Sequence, residues 1–290
     1  MEWQTLAGQL FPDGHAITEQ DHFLSGSAQA GGQTVAIIGT TGHAPIGIEI
    51  ALAQAGAVLR TVQQHPGRPI LILVDTQGQR LRHRDEMLGI NSYMAHLGKC
   101  IDFARRQGHR VIGLVYDQAL SGGFITSGLI ADACFALPQA TIRVMGLPAM
   151  ARITKVPEER LTELARENPV FAPGPINYLR MGGLQAIWEQ DLAAALLAAL
   201  AETDAQDRRM ALGAERGGRQ LAQAVAQRVA QGEWQGAGQG AGQGAGQGAG
   251  QGAGQGAGQE TVQAMAQGGA PAVTQTVPQT AGTGGDVRPA

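Results

Sequence analysis

The first 120 residues alternate between short apolar runs and longer amphipathic stretches. Residues 35–38, 70–74 and 111–116 are apolar at almost every position, which is typical of strands buried on both faces of a parallel sheet. Between these runs, residues 48–62 and 93–104 repeat apolar side chains at helical spacing, and each stretch predicts an amphipathic helix. This order of elements predicts an α/β fold with right-handed crossovers.

Weaker signals continue to residue 234. They predict brief strands at residues 134–137 and 141–144, and helices at 157–167, at 192–201 and around Leu221, Val225 and Val229. Residues 236–259 are six GAGQ repeats, and residues 235–290 contain no aromatic side chain. Such a segment cannot bury enough apolar surface to offset the entropy lost on ordering. We therefore predict one α/β domain at residues 1–234 and a disordered linker and tail at 235–290.

Composition narrows the class of protein. A formal net charge of -3 argues against a basic nucleic-acid-binding protein. No apolar run reaches the length of a membrane span, and residues 1–25 lack the pattern of a secretory signal. Cys100 and Cys134 each stand alone, so the sequence suggests neither a metal-binding cysteine pair nor a disulfide framework. We expect a cytoplasmic protein with no metal, membrane or nucleic-acid partner.

Polar residues directly after a buried strand are candidates for a binding site, because ligands gather at the carboxyl ends of parallel strands. Asp75, Gln77 and Gly78 form such a loop after the strand predicted at residues 70–74, although Asp75 could equally be an Asx-turn residue. The earlier loop at residues 39–47 contains glycines and His43 but no phosphate-binding motif, so a tight connection between strand and helix is the favoured interpretation.

A basic run follows the second of these loops and contains Arg80, Arg82 and Arg84. Such a run is often only a solvated face. It can also attract an acidic partner or a phosphorylated ligand arm. Both interpretations stay open at this point.

Ser121, Gly122 and Gly123 lie between a predicted strand and a short apolar segment. Tandem glycines let the backbone approach a ligand, and the first amides of a helix have no partner inside the helix, so they can stabilise a developing oxyanion. Close packing of strand and helix is the alternative. A serine nucleophile is disfavoured, because Ala119 stands where the G-x-S-x-G elbow requires its first glycine.

Residues 70–78, 111–115, 121–123 and 143–148 together resemble the crotonase-like carboxyltransferases. In particular, the chain is similar to the γ-subunit family of biotin-independent malonate decarboxylases over about residues 30–200. The related carboxyltransferase α subunits usually have Asp-Thr-Pro-Gly where this chain has Asp75, Thr76, Gln77 and Gly78. That departure favours the decarboxylase.

The resemblance implies a ClpP/crotonase-type superhelix of ββα turns, and a homologous β subunit that shares the site. It implies decarboxylation of malonyl-S-acyl-carrier-protein to the acetyl thioester, with the acyl group on a phosphopantetheine-type arm derived from dephospho-CoA. An acyl-carrier-protein transferase subunit is a further implied partner. The chain itself would bind no cofactor and no biotin. Gly122 and Gly123 would act as backbone donors to the thioester oxygen, with Ser121 beside them.

Other functions remain open from the sequence. The chain could be an α-type carboxyltransferase subunit of a biotin-dependent acyl-CoA carboxylase, a separate crotonase-type CoA enzyme, or a non-catalytic scaffold subunit. The proton donor to the enolate is not identified. Tyr116, His83 and His96 are unranked candidates.

Overall fold

The computed structural model describes residues 1–167, 174–203, 206–218 and 220–232. The chain divides into two compact units, residues 1–221 and 222–290. In the second unit only residues 222–232 are described, and most of them belong to the last helix. The predicted linker and tail at residues 235–290 lie outside the described residues.

Nine strands among the described residues form one sheet. They are β1 (His15–Gln20), β2 (Phe23–Ala30), β3 (Gln33–Thr40), β4 (Ala44–Ile46), β5 (Ile70–Gln79), β6 (Val111–Leu120), β7 (Ala133–Ala136), β8 (Thr141–Arg143) and β9 (Ala186–Ile187). The main path runs β1-β2-β3-β5-β6-β7-β9, while β4 pairs with β5 and β8 pairs with β6. The pairs β1–β2 and β2–β3 are antiparallel, and all later pairs are parallel.

The described residues also form eleven α-helices and one π-helical turn. The helices are α1 (Trp3–Leu10), α2 (Ile48–Gln64), α3 (His83–Met87), α4 (Ile90–Arg106), α5 (Ser121–Phe124), α6 (Leu147–Thr154), α7 (Glu158–Glu167), α8 (Ile176–Arg180), α9 (Leu192–Glu202), α10 (Arg209–Glu215) and α11 (Gln220–Ala230). The π-helical turn, Ile125–Leu129, follows α5 directly. None of the described helices is both long and apolar enough to span a bilayer.

The two long strands, β5 and β6, each pair with different neighbours along their first and second halves. The first half of β5 pairs with β3 and the first half of β6, whereas its second half pairs with β4 and the second half of β6. In β6 the first half pairs with β7 and the second half with β8. Each turn of the chain therefore contributes two strand segments and a helix, which confirms the predicted ββα architecture.

One sequence prediction is wrong at this point. Asp75, Gln77 and Gly78 were expected in a loop, but they lie in the second half of β5. The register between β5 and β6 shifts between Val74 and Thr76, so the strand bends there and then continues. Polar residues stay in the strand because β4 and the second half of β6 provide backbone partners on both sides.

The core has two layers, one on each face of the sheet. On one face, Leu73 and Leu114 pack against α1 and α9, an N-terminal helix that the sequence analysis did not predict and an Ala/Leu-rich helix that it did. On the other face, Ile72, Val74 and Val115 pack against α2 and α4. The strands are apolar at successive positions because both faces are covered.

Candidate functional site

The chain leaves β6 through a single helical turn, Ser121–Phe124, which we call the Ser-Gly-Gly turn. Ser121 has a φ of +56°, in the left-handed region. This conformation costs a non-glycine residue roughly 1–2 kcal/mol, and such strain is concentrated at functional sites. The backbone amides that follow belong to a first helical turn, so they have no acceptor within the helix.

Two hydroxyl groups fix the peptide planes of this turn. Thr126 Oγ1 donates to the carbonyl of Gly122 at 2.9 Å, and Ser127 Oγ donates to the carbonyl of Gly123 at 2.6 Å. Because a peptide is planar, the carbonyl of Gly122 and the N–H of Gly123 point in opposite directions. Thr126 therefore orients the N–H of Gly123. This arrangement holds an amide donor in a set direction before a ligand arrives, as stabilisation of an oxyanion requires.

The glycines of the turn differ in what surrounds them. A Cβ on Gly123 would lie 2.9 Å from Gly78 Cα and 3.1 Å from Ile46 Cδ1, so this position is closed to any side chain. Gly78 has a φ of +96°, and a Cβ there would lie 2.8 Å from the Cβ of Ser121. At Gly122 the nearest atom to such a Cβ is 3.9 Å away, and this residue is half-buried. Close packing between the turn and β5 therefore explains why positions 123 and 78 are glycines, but it does not explain the glycine at position 122.

Asp75 stabilises the backbone of β6, the strand that leads into the Ser-Gly-Gly turn. Its side chain is almost fully buried and accepts hydrogen bonds from the amide of His43 at 2.9 Å and that of Gln118 at 3.3 Å. Burial raises the pKa of this carboxyl, although the two amides act in the opposite direction. Asp75 thus connects the segment after β3 to the second half of β6. Gln77, two residues on, is exposed.

His43 joins two carboxylates in a group that the sequence analysis did not predict. Its Nε2 lies 3.2 Å from Asp117 Oδ1 and 3.7 Å from Asp75 Oδ1. Burial opposes ionisation of Asp117, but its hydrogen bonds to the amino terminus and His43 hold its pKa below the usual range. The three side chains offer ligand atoms within 4.8 Å of one another. A tetrahedral metal would need a fourth ligand, and both oxygens of Asp75 already accept amides.

The signal for this group lay in the strand order. His43 follows β3, and Asp75 and Asp117 lie in the neighbouring strands β5 and β6. Equivalent ends of parallel strands meet at one edge of a sheet. His43 does lie between β3 and β4, as predicted, but its contacts with two other strands are not visible when that loop is considered alone.

The basic run is largely paired inside the chain. Arg80 forms a bidentate ion pair with Asp85, with nitrogen–oxygen distances of 2.5 and 2.7 Å, and also binds Glu49 at 2.5 Å. Arg84 binds Glu49 at 2.8 Å. Asp85 has no exposed surface, and the Arg80 guanidinium holds its pKa below the usual range. Arg82 and Arg84 are both exposed, but Arg84 is paired with Glu49, so Arg82 is the arginine of the three that is most open to a partner.

The three candidate proton donors lie in different surroundings. Tyr116 has no exposed surface, its hydroxyl donates to the carbonyl of Thr40 at 3.0 Å, and burial raises its pKa. His83 is exposed at the start of α3. His96 is exposed on α4, with its Nε2 3.6 Å from Cys100 Sγ.

Comparison with known proteins decides between the families that share these motifs. The family model of the malonate decarboxylase gamma subunit matches residues 41–233. The chain belongs to this family. It is also similar to the malonyl-S-ACP:biotin-protein carboxyltransferase MADD of Malonomonas rubra, with 32% identity over 229 residues, 68% of this chain and 78% of that protein.

Solved structures agree with the malonate decarboxylase family and with the predicted fold. A Pseudomonas malonate decarboxylase hetero-tetramer in complex with coenzyme A is similar at a TM-score of 0.67 and 26% identity, covering 79% of this chain and 98% of that chain. The Pseudomonas MdcD-MdcE hetero-dimer matches with a TM-score of 0.64, 26% identity and the same coverage. Transcarboxylase 12S, at 19% identity and a TM-score of 0.61 over 70% of this chain and 41% of that one, shows the crotonase-like carboxyltransferase fold alone.

Proposed function

We propose that this chain is the γ subunit of a malonate decarboxylase that acts, together with a homologous β subunit, on malonyl-S-acyl-carrier-protein. The observation that carries the proposal is the Ser-Gly-Gly turn, with its oriented amides, in a member of the γ-subunit family. The Pseudomonas relatives described as a hetero-dimer and a hetero-tetramer support a partner subunit for this chain as well.

In the proposed reaction, the bond between the terminal carboxylate and the α-carbon breaks. Its electron pair moves into the thioester carbonyl, which produces CO₂ and an enolate. The amides of Gly122 and Gly123 would donate hydrogen bonds to the enolate oxygen. Each well-placed donor of this kind stabilises such an oxyanion by about 3–4 kcal/mol. Protonation of the α-carbon then gives the acetyl thioester.

The other predicted residues take supporting roles in this proposal. Gly78 closes the packing below Gly123, and Asp75 fixes the strands beneath the turn. Ser121 sets the direction of the turn through its left-handed backbone. Arg80 and Arg84 hold the start of α2 to the segment after β5, because both bind Glu49. The exposed side chains of Gln77 and Arg82 are left to contact the carrier protein and its phosphopantetheine-type arm, with the transferase subunit as a further partner.

A second function is carboxyl transfer to a biotin protein. The observation in its favour is the similarity to the Malonomonas rubra carboxyltransferase. In that reaction the same enolate would form, but the carboxyl group would pass to biotin instead of leaving as CO₂. The Ser-Gly-Gly turn serves both reactions, so only the fate of the carboxyl group separates them.

The experiment measures that fate. The chain is purified with its β subunit and given malonyl-S-carrier with a ¹⁴C-labelled terminal carboxyl, with avidin present to sequester biotin. We expect labelled CO₂ and acetyl-S-carrier in equal amounts. If the complex turns over only when avidin is omitted and a biotin carrier is supplied, with the label recovered on biotin, the second function is established and the first is contradicted.

A further inference from the structure

Arg143 lies beside the Ser-Gly-Gly turn but takes no part in the chemistry described so far. It is the last residue of β8, which pairs in parallel with the second half of β6. In that register Arg143 stands opposite Leu120, the residue directly before Ser121. Paired strands lie about 4.8 Å apart, so the arginine starts one strand spacing away from the turn.

The charge of Arg143 has no partner in the described part of the chain. Its Nε is buried without a hydrogen-bond acceptor, and we find no hydrogen bond or ion pair for the rest of its guanidinium among those residues. Burial lowers the pKa of Arg143, with no neighbouring charge to oppose the effect. Arg105, Arg209 and Arg216 are half-buried like Arg143 but differ from it, since each donates to backbone carbonyls or a carboxylate. A desolvated charge is costly unless something pairs with it.

The strand pattern places Arg143 on the face of the sheet opposite α2 and α4. Ile142 packs in the core layer with α4, and successive side chains of a strand point to opposite faces. Arg143 therefore shares a face with Leu120. On β5, Thr76 pairs with Ala119, so the next residue, the exposed Gln77, lies on the same face of the sheet as Leu120 and Arg143. Arg143 thus lies on the same face of the sheet as residues that border the turn.

We propose that Arg143 binds the terminal carboxylate of the malonyl thioester, an inference that rests on the proposed function. A guanidinium matches a carboxylate in geometry and charge. In the substrate, one methylene separates that carboxylate from the thioester carbon, so a group held at the turn presents its carboxylate to a neighbouring strand. The contact fixes the direction of the carbon–carbon bond that breaks.

The reaction itself gives this contact a kinetic signature. The carboxylate loses its charge as it becomes CO₂, so the ion pair is strongest in the bound substrate and weaker in the transition state. Removing such an interaction raises KM and changes kcat less, because the relieved stabilisation of the bound substrate and the lost orientation of the breaking bond affect kcat in opposite directions. A residue needed only for folding would instead lower the amount or stability of the complex and leave KM unchanged.

The test uses the purified complex with Arg143→Gln, with Arg143→Lys, and with Arg152→Gln as a matched control. Arg152 is an exposed arginine on α6, nine residues further along the chain. For malonyl thioester we expect Arg143→Gln to raise KM roughly 10- to 100-fold, the value of a hydrogen bond to a charged group. We expect kcat to fall less than KM rises, and Arg143→Lys to recover part of the affinity. Arg152→Gln should behave as wild type.

Binding of the acetyl thioester separates the sources of an anion, because it carries the same arm without the carboxylate. We expect its affinity to be unchanged in Arg143→Gln. An equal loss for both thioesters would assign Arg143 to the phosphate groups of the arm, and loss of the β subunit on purification would assign it to the interface. Either result, or an unchanged KM, overturns the proposal.

A different result would refute the proposed function itself. A wild-type complex that forms no acetyl thioester refutes the function, whatever Arg143 does. In that case the thermal midpoint with sodium malonate or sodium acetate tests Arg143 by itself. We expect malonate to stabilise wild type but not Arg143→Gln, and equal shifts in the two proteins contradict the site.

Discussion

Gly122 and Gly123 are neighbours of identical type, yet the structure predicts opposite tolerance for a methyl group. In Gly123→Ala the new Cβ would lie 2.9 and 3.0 Å from backbone atoms of Gly78 and 3.1 Å from Ile46 Cδ1. Backbone atoms cannot rotate away, so the Ser-Gly-Gly turn must move off β5. In Gly122→Ala the new Cβ meets only the side-chain oxygen of Gln79, at 3.9 Å.

The magnitudes follow from these contacts. Overpacking at a closed position costs about 1–3 kcal/mol of unfolding free energy. Displacing an oxyanion donor lowers kcat by about 10²- to 10³-fold. Gly123→Ala should show both effects. Gly122 lies in a helical turn with a φ outside the left-handed region, so Gly122→Ala should be neutral or up to about 1 kcal/mol more stable.

The assay compares the two variants in the assembled complex. Steady-state kcat with malonyl-S-carrier reports the donor, the thermal midpoint reports packing, and gel filtration confirms that the β subunit is bound. We expect Gly122→Ala to keep turnover of the same order as wild type. Wild-type kcat in Gly123→Ala, or equal losses in both variants, would refute the steric argument and the role of the turn.

Four further predictions concern other parts of the chain. Ser121→Ala should keep most of the turnover, because the serine shapes the backbone and is not a nucleophile, and complete loss of turnover would contradict this role. Ser121→Gly should raise the thermal midpoint, because glycine adopts the left-handed conformation of this position without strain. Arg80→Met leaves the carboxylate of Asp85 buried without its partner, so urea unfolding should show about 3–5 kcal/mol less stability. Arg82→Glu should be near wild type in stability and should slow binding of the carrier protein only at low salt. Because Arg80 lowers the pKa of Asp85, the stabilisation from this pair is complete above about pH 4 and is lost as the pH falls through the folded-state pKa. Between these two pH values the stability of Arg80→Met should therefore depend less on pH than that of wild type, and an identical profile would contradict the pairing. A chain that ends at Gln235 should keep its thermal midpoint and, in the complex, its kcat, and a drop in either contradicts the sequence-based prediction for the tail.

The sequence predicts the repeated strand–helix order well, because the signal is local. Apolar runs and helical spacing locate the first halves of β5 and β6, together with α2 and α4. The second halves of the two strands are missed. Polar residues such as Asp75 and Gln77 stay in a strand there only because β4 and β6 lie on either side, and pairing of this kind depends on distant parts of the chain. The N-terminal hairpin of β1 and β2 is missed as well.

The candidate site, like the fold, is predicted from the sequence only where the signal is local. The Ser-Gly-Gly turn is visible in the sequence, because tandem glycines after a buried strand are a local pattern. The difference between Gly122 and Gly123 is not visible, since it arises from the position of Gly78 across the strand pair. Arg80 and Arg143 also look alike in sequence. Their roles differ because one meets the buried carboxylate of Asp85, whereas the other meets no acceptor in the described residues.

In the proposed function this chain supplies the amides that stabilise the enolate, but forms a working site only together with a homologous subunit. The most direct measurement is the release of CO₂ from malonyl-S-carrier by this chain alone, by the β subunit alone and by the two mixed, at equal concentrations. We expect no release above background from either subunit alone, and release from the mixture that is lost when Gly123→Ala replaces the wild-type chain. Full turnover by either isolated subunit, or by a mixture that contains Gly123→Ala, would contradict it.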